Sequence, residues 1–247
     1  MSDYDKFAKK YSEAMGEKGD FFHRTQIDPF IYSMIGNPKG KIIYDIGCGN
    51  GYIARNLSRK GAHVYASDIS SKLIDIAIDK SKGLDIEYLV HDATDFTNYK
   101  SSQFDIVILN TVVNYIKNLD KLFKGISKVL KKDGKCVIAT NHFLRPVYPY
   151  SDWIIGEIDG KKTLFTKVTH YLKTIKKVVV SGWDNKIKIK LYNRPLNIYV
   201  NTLSKYGLYL ERVEEPESSG FARNFSKKLQ KSHLIPTYLI FSAKKMK

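Results

Sequence analysis

The sequence predicts an α/β fold: a parallel sheet covered by helices on both faces. Three observations carry this. Short apolar runs alternate with helical segments between Lys41 and Thr140, a glycine turn ends the first run, and an acidic residue follows each of the next two. The runs Lys41 to Ile46, His63 to Ser67, Ile86 to Val90, Phe104 to Leu109 and Lys135 to Thr140 are read as buried strands. Helices fit between them. Leu119, Leu122, Phe123, Ile126, Val129 and Leu130 recur at helical spacing, and Asp133-Gly134 is expected to break the chain before the fifth strand. Ser70 is placed to cap a helix carrying Leu73, Ile74, Ala77 and Ile78 on one face. Strands alternating with helices of this length imply right-handed crossovers.

The flanks are read in the same way. Tyr4, Phe7, Ala8, Tyr11, Ala14 and Met15 form an amphipathic helix, either a lid or a helix packed on the sheet. After Thr140 the alternation lapses for about fifty residues that include the β-branched run Val178-Val179-Val180, as an insertion would. A helix from about Leu196 to Lys205 ends at Gly207, and Leu208 to Val213 and Thr237 to Ala243 read as closing strands. A basic segment through Gly220, Arg223 and Lys227 joins those two strands. At 247 residues, one α/β domain with an insertion is expected.

Composition narrows the classes. No apolar window is long enough for a membrane span and the start lacks a signal-peptide pattern, so a cytoplasmic protein is expected. Two cysteines, Cys48 and Cys136, provide for neither a disulfide framework nor a zinc cluster, and no metal site is expected. The formal charge of +16 is mostly scattered lysine. Its densest stretch, Lys161 to Arg194, sets ten basic residues against Asp184 alone; solvated surface is the preferred reading and a phosphate-tracking groove the alternative.

The chemistry-bearing segment is Tyr44-Asp45-Ile46-Gly47-Cys48-Gly49-Asn50-Gly51. Glycines permit positive φ and close approach of a ligand, and the following helix offers free N–H donors. A dinucleotide fold would put its third glycine where Tyr52 stands, whereas here it is Gly51, which disfavours a pyrophosphate. Asp68 ends the second strand, where a carboxylate can accept from both ribose hydroxyls. Asp92-Ala93, after the third strand, suits an adenine edge. Each acid alone is equally a helix cap or a loop residue; together, at three successive strand ends, they describe one nucleoside site.

With these residues the chain resembles a class I S-adenosylmethionine-dependent methyltransferase. Asp45 to Gly51, Ala66-Ser67-Asp68-Ile69-Ser70, His91-Asp92-Ala93, Phe104 to Val107 and Leu130 to Lys135 carry the likeness, strong over residues 40 to 142. A second, weaker match is Tyr192-Asn193-Arg194-Pro195-Leu196, then Tyr206-Gly207-Leu208, Glu214-Glu215-Pro216 and Ile235 to Leu239. It is similar to members acting on small molecules, though these often have histidine at the position of Asn193. The resemblance implies a seven-stranded Rossmann-like doubly wound sheet with the last strand antiparallel. It divides residues 1–247 into an N-terminal helical lid (1–40), a cofactor-binding core (41–142), a substrate-capping insertion (143–195) and a C-terminal helix with closing strands (196–247). The implied cofactor is S-adenosyl-L-methionine, with S-adenosyl-L-homocysteine as product. Gly47, Gly49 and Gly51 would lie on its methionine part, Asp45 at the amino group, Asp68 at the ribose, and Asp92 and Ala93 at the adenine, with Ile69 also among the cofactor-binding residues. Asn110-Thr111-Val112-Val113 would face the sulfonium, and Tyr11 would be a lid contact.

Methyl transfer is an in-line displacement for which alignment supplies much of the rate. A general base is needed only if the acceptor loses a proton. His142 is the candidate and His170 the second, each equally readable as structural. Tyr148, Tyr150, Trp153, Phe165, Tyr171 and Trp183 either roof a small acceptor pocket or form a satellite core. The run Asn110-Thr111-Val112-Val113 lacks the prolines and aromatic that resemblance to amino-adenine methyltransferases would demand, and a Pro-Cys pair is missing, so a flipped base is not favoured. A small-molecule acceptor is therefore expected, in a monomer or homodimer. An RNA-modifying methyltransferase and a non-catalytic S-adenosylmethionine-binding protein are the alternatives, and a nicotinamide oxidoreductase is the weakest reading.

Overall fold

The computed structural model describes residues 3–144, 151–180, 188–217 and 235–246. Tyr148, Tyr150, Trp183 and the segment through Gly220, Arg223 and Lys227 lie outside the described residues.

Seven strands form one sheet: β1 (Ile42–Ile46), β2 (His63–Asp68), β3 (Ile86–Val90), β4 (Phe104–Asn110), β5 (Leu130–Asn141), β10 (Leu208–Glu214) and β11 (Tyr238–Lys245). Their order is β10-β11-β5-β4-β1-β2-β3. Strands β1 to β5 pair in parallel, and β11, the last in the chain, runs antiparallel to both β5 and β10. This is the predicted sheet, and it leaves the carboxyl ends of β1, β2 and β4 side by side.

Burial on both faces explains why these strands read as continuous apolar runs. Along β1, Tyr44 and Ile46 face a core with Val107, Leu109 and the helices α5 (Leu119–Val129) and α6 (Leu196–Lys205). Ile43 faces the opposite core, made with Ile106, Ile108, α2 (Asp28–Ile35) and α3 (Tyr52–Ser58). The capping expectation holds: Ser70 Oγ accepts from Leu73 N at 3.2 Å at the start of α4 (Ser71–Asp79). Gly207 follows α6 at φ +73°, the left-handed conformation glycine tolerates.

Two local readings change. Leu130 is the first residue of β5, paired with Phe104, rather than the last of α5. Asp133-Gly134 does not break the chain before the strand but lies within it, with Asp133 at φ +63° and a register shift on β4 between Phe104 and Ile106. A bulge absorbs the turn-forming pair without ending the pairing. The insertion contains two antiparallel hairpins: β6 (Ser151–Ile158) with β7 (Lys161–Val168), and β8 (Ile175–Val180) with β9 (Lys188–Asn193). Before the sheet come α1 (Ala8–Met15) and a π-helical turn, His23–Ile27, leading into α2.

Candidate active site

The loops after β1, β2 and β3 are tied together by backbone. Gly47, Gly49 and Gly51 all have positive φ, which any side chain would strain. The N–H groups of Gly47 and Cys48 donate to Ser67 O at 2.7 and 2.9 Å, folding the turn over the end of β2. Gly49 N donates to Asp68 Oδ2 at 3.0 Å, Ser70 N donates to Asp68 Oδ1 at 2.9 Å, and His91 N donates to Asp68 O at 2.9 Å. Burial pushes the Asp68 carboxyl upward, against the opposing N–H bonds of Ser70 and Gly49. A carboxylate offers about four lone-pair sites, so Asp68, held by the backbone of Gly49, Ile69 and Ser70, keeps capacity for a further donor. Asp92 and Ile69 are exposed at the flank of this turn, and Ala93 is half-buried. Asp92 Oδ1 accepts from Thr94 N and Thr94 Oγ1, both at 2.7 Å, shaping the third loop.

Under the glycine turn lies Asp45, only 2% exposed. Its Oδ2 has no hydrogen-bond partner among the described residues. Burial, with the charges of Asp68 and Asp28, pushes this carboxyl up to about 7. An unpaired buried carboxylate is costly, and a cation placed there would remove the cost. The ammonium of a methionyl group is such a cation, so the turn and Asp45 fit S-adenosylmethionine.

At the end of β4, Asn110 Nδ2 donates to Tyr52 Oη at 3.0 Å, while its Oδ1 is buried without a partner among the described residues. Tyr52 Oη donates to Asp28 Oδ1 at 2.9 Å, and burial pushes Asp28 up to about 6. Thr111 follows at φ +58°, an uncommon conformation for a β-branched residue. The strained step is held by neighbours: Thr111 N donates to Ala139 O at 2.9 Å and Thr111 Oγ1 to Asn110 O at 2.7 Å. Arg194, 4% exposed, donates to the carbonyls of Val113, Ile116 and Lys117, and Thr140 Oγ1 donates to Asn114 Oδ1. Arg194 ends the basic stretch of the sequence, but its guanidinium is turned inward and fastens the turn after β4.

The leading helix is anchored on the turn. Asn50 Nδ2 donates to Gly16 O at 3.0 Å, and buried Arg55 pairs with Glu17 at 3.0 Å while donating to Asn50 O at 2.6 Å. The Tyr11 ring lies so close to Gly49 that a Cβ there would come within 2.9 Å of Tyr11 Oη. Phe7 packs with Ile189 of β9, joined by Tyr4 and Tyr11, and the Tyr4 ring meets Tyr115 edge-on at 5.8 Å. The helix and the second hairpin thus meet beside the turn after β4.

His142 is 2% exposed. Its Nε2 lies 2.8 Å from Glu215 Oε1, and its Nδ1 accepts from Leu144 N at 3.2 Å. Both ring nitrogens are engaged, with the proton fixed on Nε2. The His142 ring stacks on Phe143 at 4.2 Å; Phe143 in turn meets Tyr171, and its carbonyl accepts from Asn193 Nδ2 at 3.4 Å. His170 is exposed, in the connection between β7 and β8. Among the described residues no group of acidic, histidine and cysteine side chains could hold a metal ion.

Sequence reasoning missed Tyr52, Asp28, Asn114, Arg55 and the pair Asp20 and His23. They lie far along the chain from their partners, and only buried polar residues amid apolar patterning marked them. No helix of the described residues is long and apolar enough to cross a membrane.

A methyltransferase-domain family matches residues 44–138. The ubiquinone biosynthesis O-methyltransferase of Xanthomonas axonopodis pv. citri is 24% identical over 196 residues, covering 77% of this chain and 81% of that protein. The enzyme of the same name from Coxiella burnetii (strain RSA 331 / Henzerling II) is 28% identical over 156 residues, 62% of this chain and 65% of its own length. An S-adenosylmethionine-dependent methyltransferase structure from Mesorhizobium loti superposes with a TM-score of 0.73 at 24% identity, covering 87% of this chain and 96% of that one, a likeness of fold. The matched methyltransferase domain holds the glycine turn and the tied acids on a seven-stranded sheet with an antiparallel final strand, consistent with the class I S-adenosylmethionine-dependent methyltransferases.

Proposed function

We propose that the chain methylates a small molecule bearing an ionisable hydroxyl, bound between the turn after β4, the leading helix and the insertion. The observation that carries the placement is the orphaned Oδ2 of Asp45 beneath a glycine turn that is tied to Asp68. S-adenosylmethionine, when bound, supplies an electrophilic methyl group. Asp45 takes its ammonium, the N–H-bearing turn at Gly47, Gly49 and Gly51 takes the methionyl part, Asp68 with Ile69 the ribose, and Asp92 with Ala93 the adenine. Asn110 and strained Thr111 line the transfer position, which Arg194 keeps from relaxing. Residues 1–40 act as a lid through Tyr11 and residues 143–195 cap the acceptor. The similarity to O-methyltransferases supports oxygen as the accepting atom. A base role for His142 requires its bond to Leu144 N or to Glu215 to open; as it stands, the ring braces the end of β5 against the segment after β10.

The test is transfer of labelled methyl groups to fractionated metabolites and to RNA, beside calorimetric binding of the cofactor to wild type and Asp68→Ala. Label is expected in small-molecule fractions. Asp68→Ala is expected to lose about 100-fold in cofactor affinity, since two charge-assisted hydrogen bonds at roughly 1.5 kcal/mol each are removed. Label in RNA alone, or unchanged affinity, refutes the reading.

A further inference from the structure

The π-helical turn ahead of α2 opens with a histidine, His23, that pairs with Asp20 three residues before it. Asp20 Oδ1 lies 2.8 Å from His23 Nδ1 and accepts from His23 N at 2.9 Å. The carboxylate therefore fixes both the backbone and the ring, and places the imidazole proton on Nδ1. The lone pair is then on Nε2, for which no hydrogen bond exists among the described residues. The ring is 9% exposed by residue and meets Tyr52 edge-on at 6.0 Å. Tyr52 Oη is the group that accepts from Asn110 Nδ2 at the transfer position. Gly19, at φ +79°, admits the close approach: a Cβ there would come within 2.8 Å of His23 Cβ and 3.1 Å of Tyr52. π-Helical turns of this kind are frequent at functional sites.

We propose that His23, oriented by Asp20, is the general base of methyl transfer. The inference rests on the methyltransferase reading of the site and replaces His142 in that role. As the acceptor oxygen forms its bond to the methyl carbon, the carbon–sulfur bond breaks with its electron pair passing to sulfur, and the hydroxyl proton moves to His23 Nε2. The site returns to its starting state when that proton is released to water. The contrast with His142 is structural: the His23 ring packs on Tyr52 and has no hydrogen bond at Nε2 among the described residues, while His142 has both nitrogens occupied.

The groups facing His23 are Asp20 just before its turn, Asp28 at the start of α2 and Tyr52 on α3; Arg24 Nε lies 3.4 Å from Asp20 O. Asp20 is held below the usual carboxylate range: burial opposes this, and the hydrogen bonds from the His23 ring and backbone overcome it. Asp28, which accepts from Tyr52, is pushed the other way, up to about 6, chiefly by burial.

The experiment uses the full chain with ¹⁵N-labelled histidine. Nuclear magnetic resonance of the free protein is expected to show His23 as the Nδ1–H tautomer, and Asp20→Asn to lose that preference while keeping the N-terminal cap. An Nε2–H tautomer in wild type overturns the proposal. Spectra are then recorded with S-adenosylhomocysteine, which is neutral at sulfur, and with sinefungin, which places an ammonium near the methyl position. The His23 Nε2 resonance is expected to differ between the two complexes, because only the second sets a positive charge near that nitrogen. Identical His23 resonances with both ligands, each bound by calorimetry, overturn the base role while leaving the cofactor site intact. Failure of both ligands to bind removes the methyltransferase reading and this inference with it.

Discussion

Asp45→Asn tests the cofactor site through protons rather than through product. In the free protein the Asp45 carboxyl is pushed up to about 7 from an ordinary 3.8, first by burial and then by the charges of Asp68 and Asp28. Because the folded value lies above the unfolded one, the fold holds this proton more tightly than the unfolded chain does. The stability it lends is full below about pH 4 and is lost as pH rises toward about 7. Binding an ammonium at Oδ2 reverses the preference, so the cofactor must drive the proton off. Below pH 6, cofactor affinity should therefore rise about tenfold per pH unit, flattening as pH approaches 7. Calorimetry at pH 5.5 in two buffers of different ionisation enthalpy should report release of about one proton per cofactor bound. Asp28 and Asp68 titrate upward too, so the decisive comparison is with Asp45→Asn, which should bind more weakly at pH 7 and release about one proton fewer. Identical proton release by wild type and variant would refute the assignment of the ammonium to Asp45.

Two further outcomes follow from the surroundings. Arg194→Met removes the donor to three backbone carbonyls around the turn after β4, and should cost about 3 kcal/mol or more, lowering Tm by roughly 6 to 12 °C in calorimetric melting. His142→Gln should reduce stability by about 1–2 kcal/mol in urea titration while leaving cofactor affinity within a few-fold of wild type; a large affinity loss would place the ring at the cofactor instead.

Much of the scaffold was legible because parallel strands buried on both faces leave continuous apolar runs, and because positive φ at Gly47, Gly49 and Gly51 admits almost no other residue type. Asp45, Asp68 and Asp92 could be placed at strand ends from their spacing alone. The sequence by itself thus determined the order of elements, the glycine turn and which acids end which strands, since these are local or periodic properties. What only the tertiary structure decided are relations between distant segments. Among them are the occupied nitrogens of His142, Arg194 as a buried clasp rather than a basic surface, the Asp28–Tyr52–Asn110 chain, and the Asp20–His23 pair brought beside it. A hydrogen bond across dozens of residues leaves no period in the chain; it exists only once packing against the sheet has fixed where each side chain points.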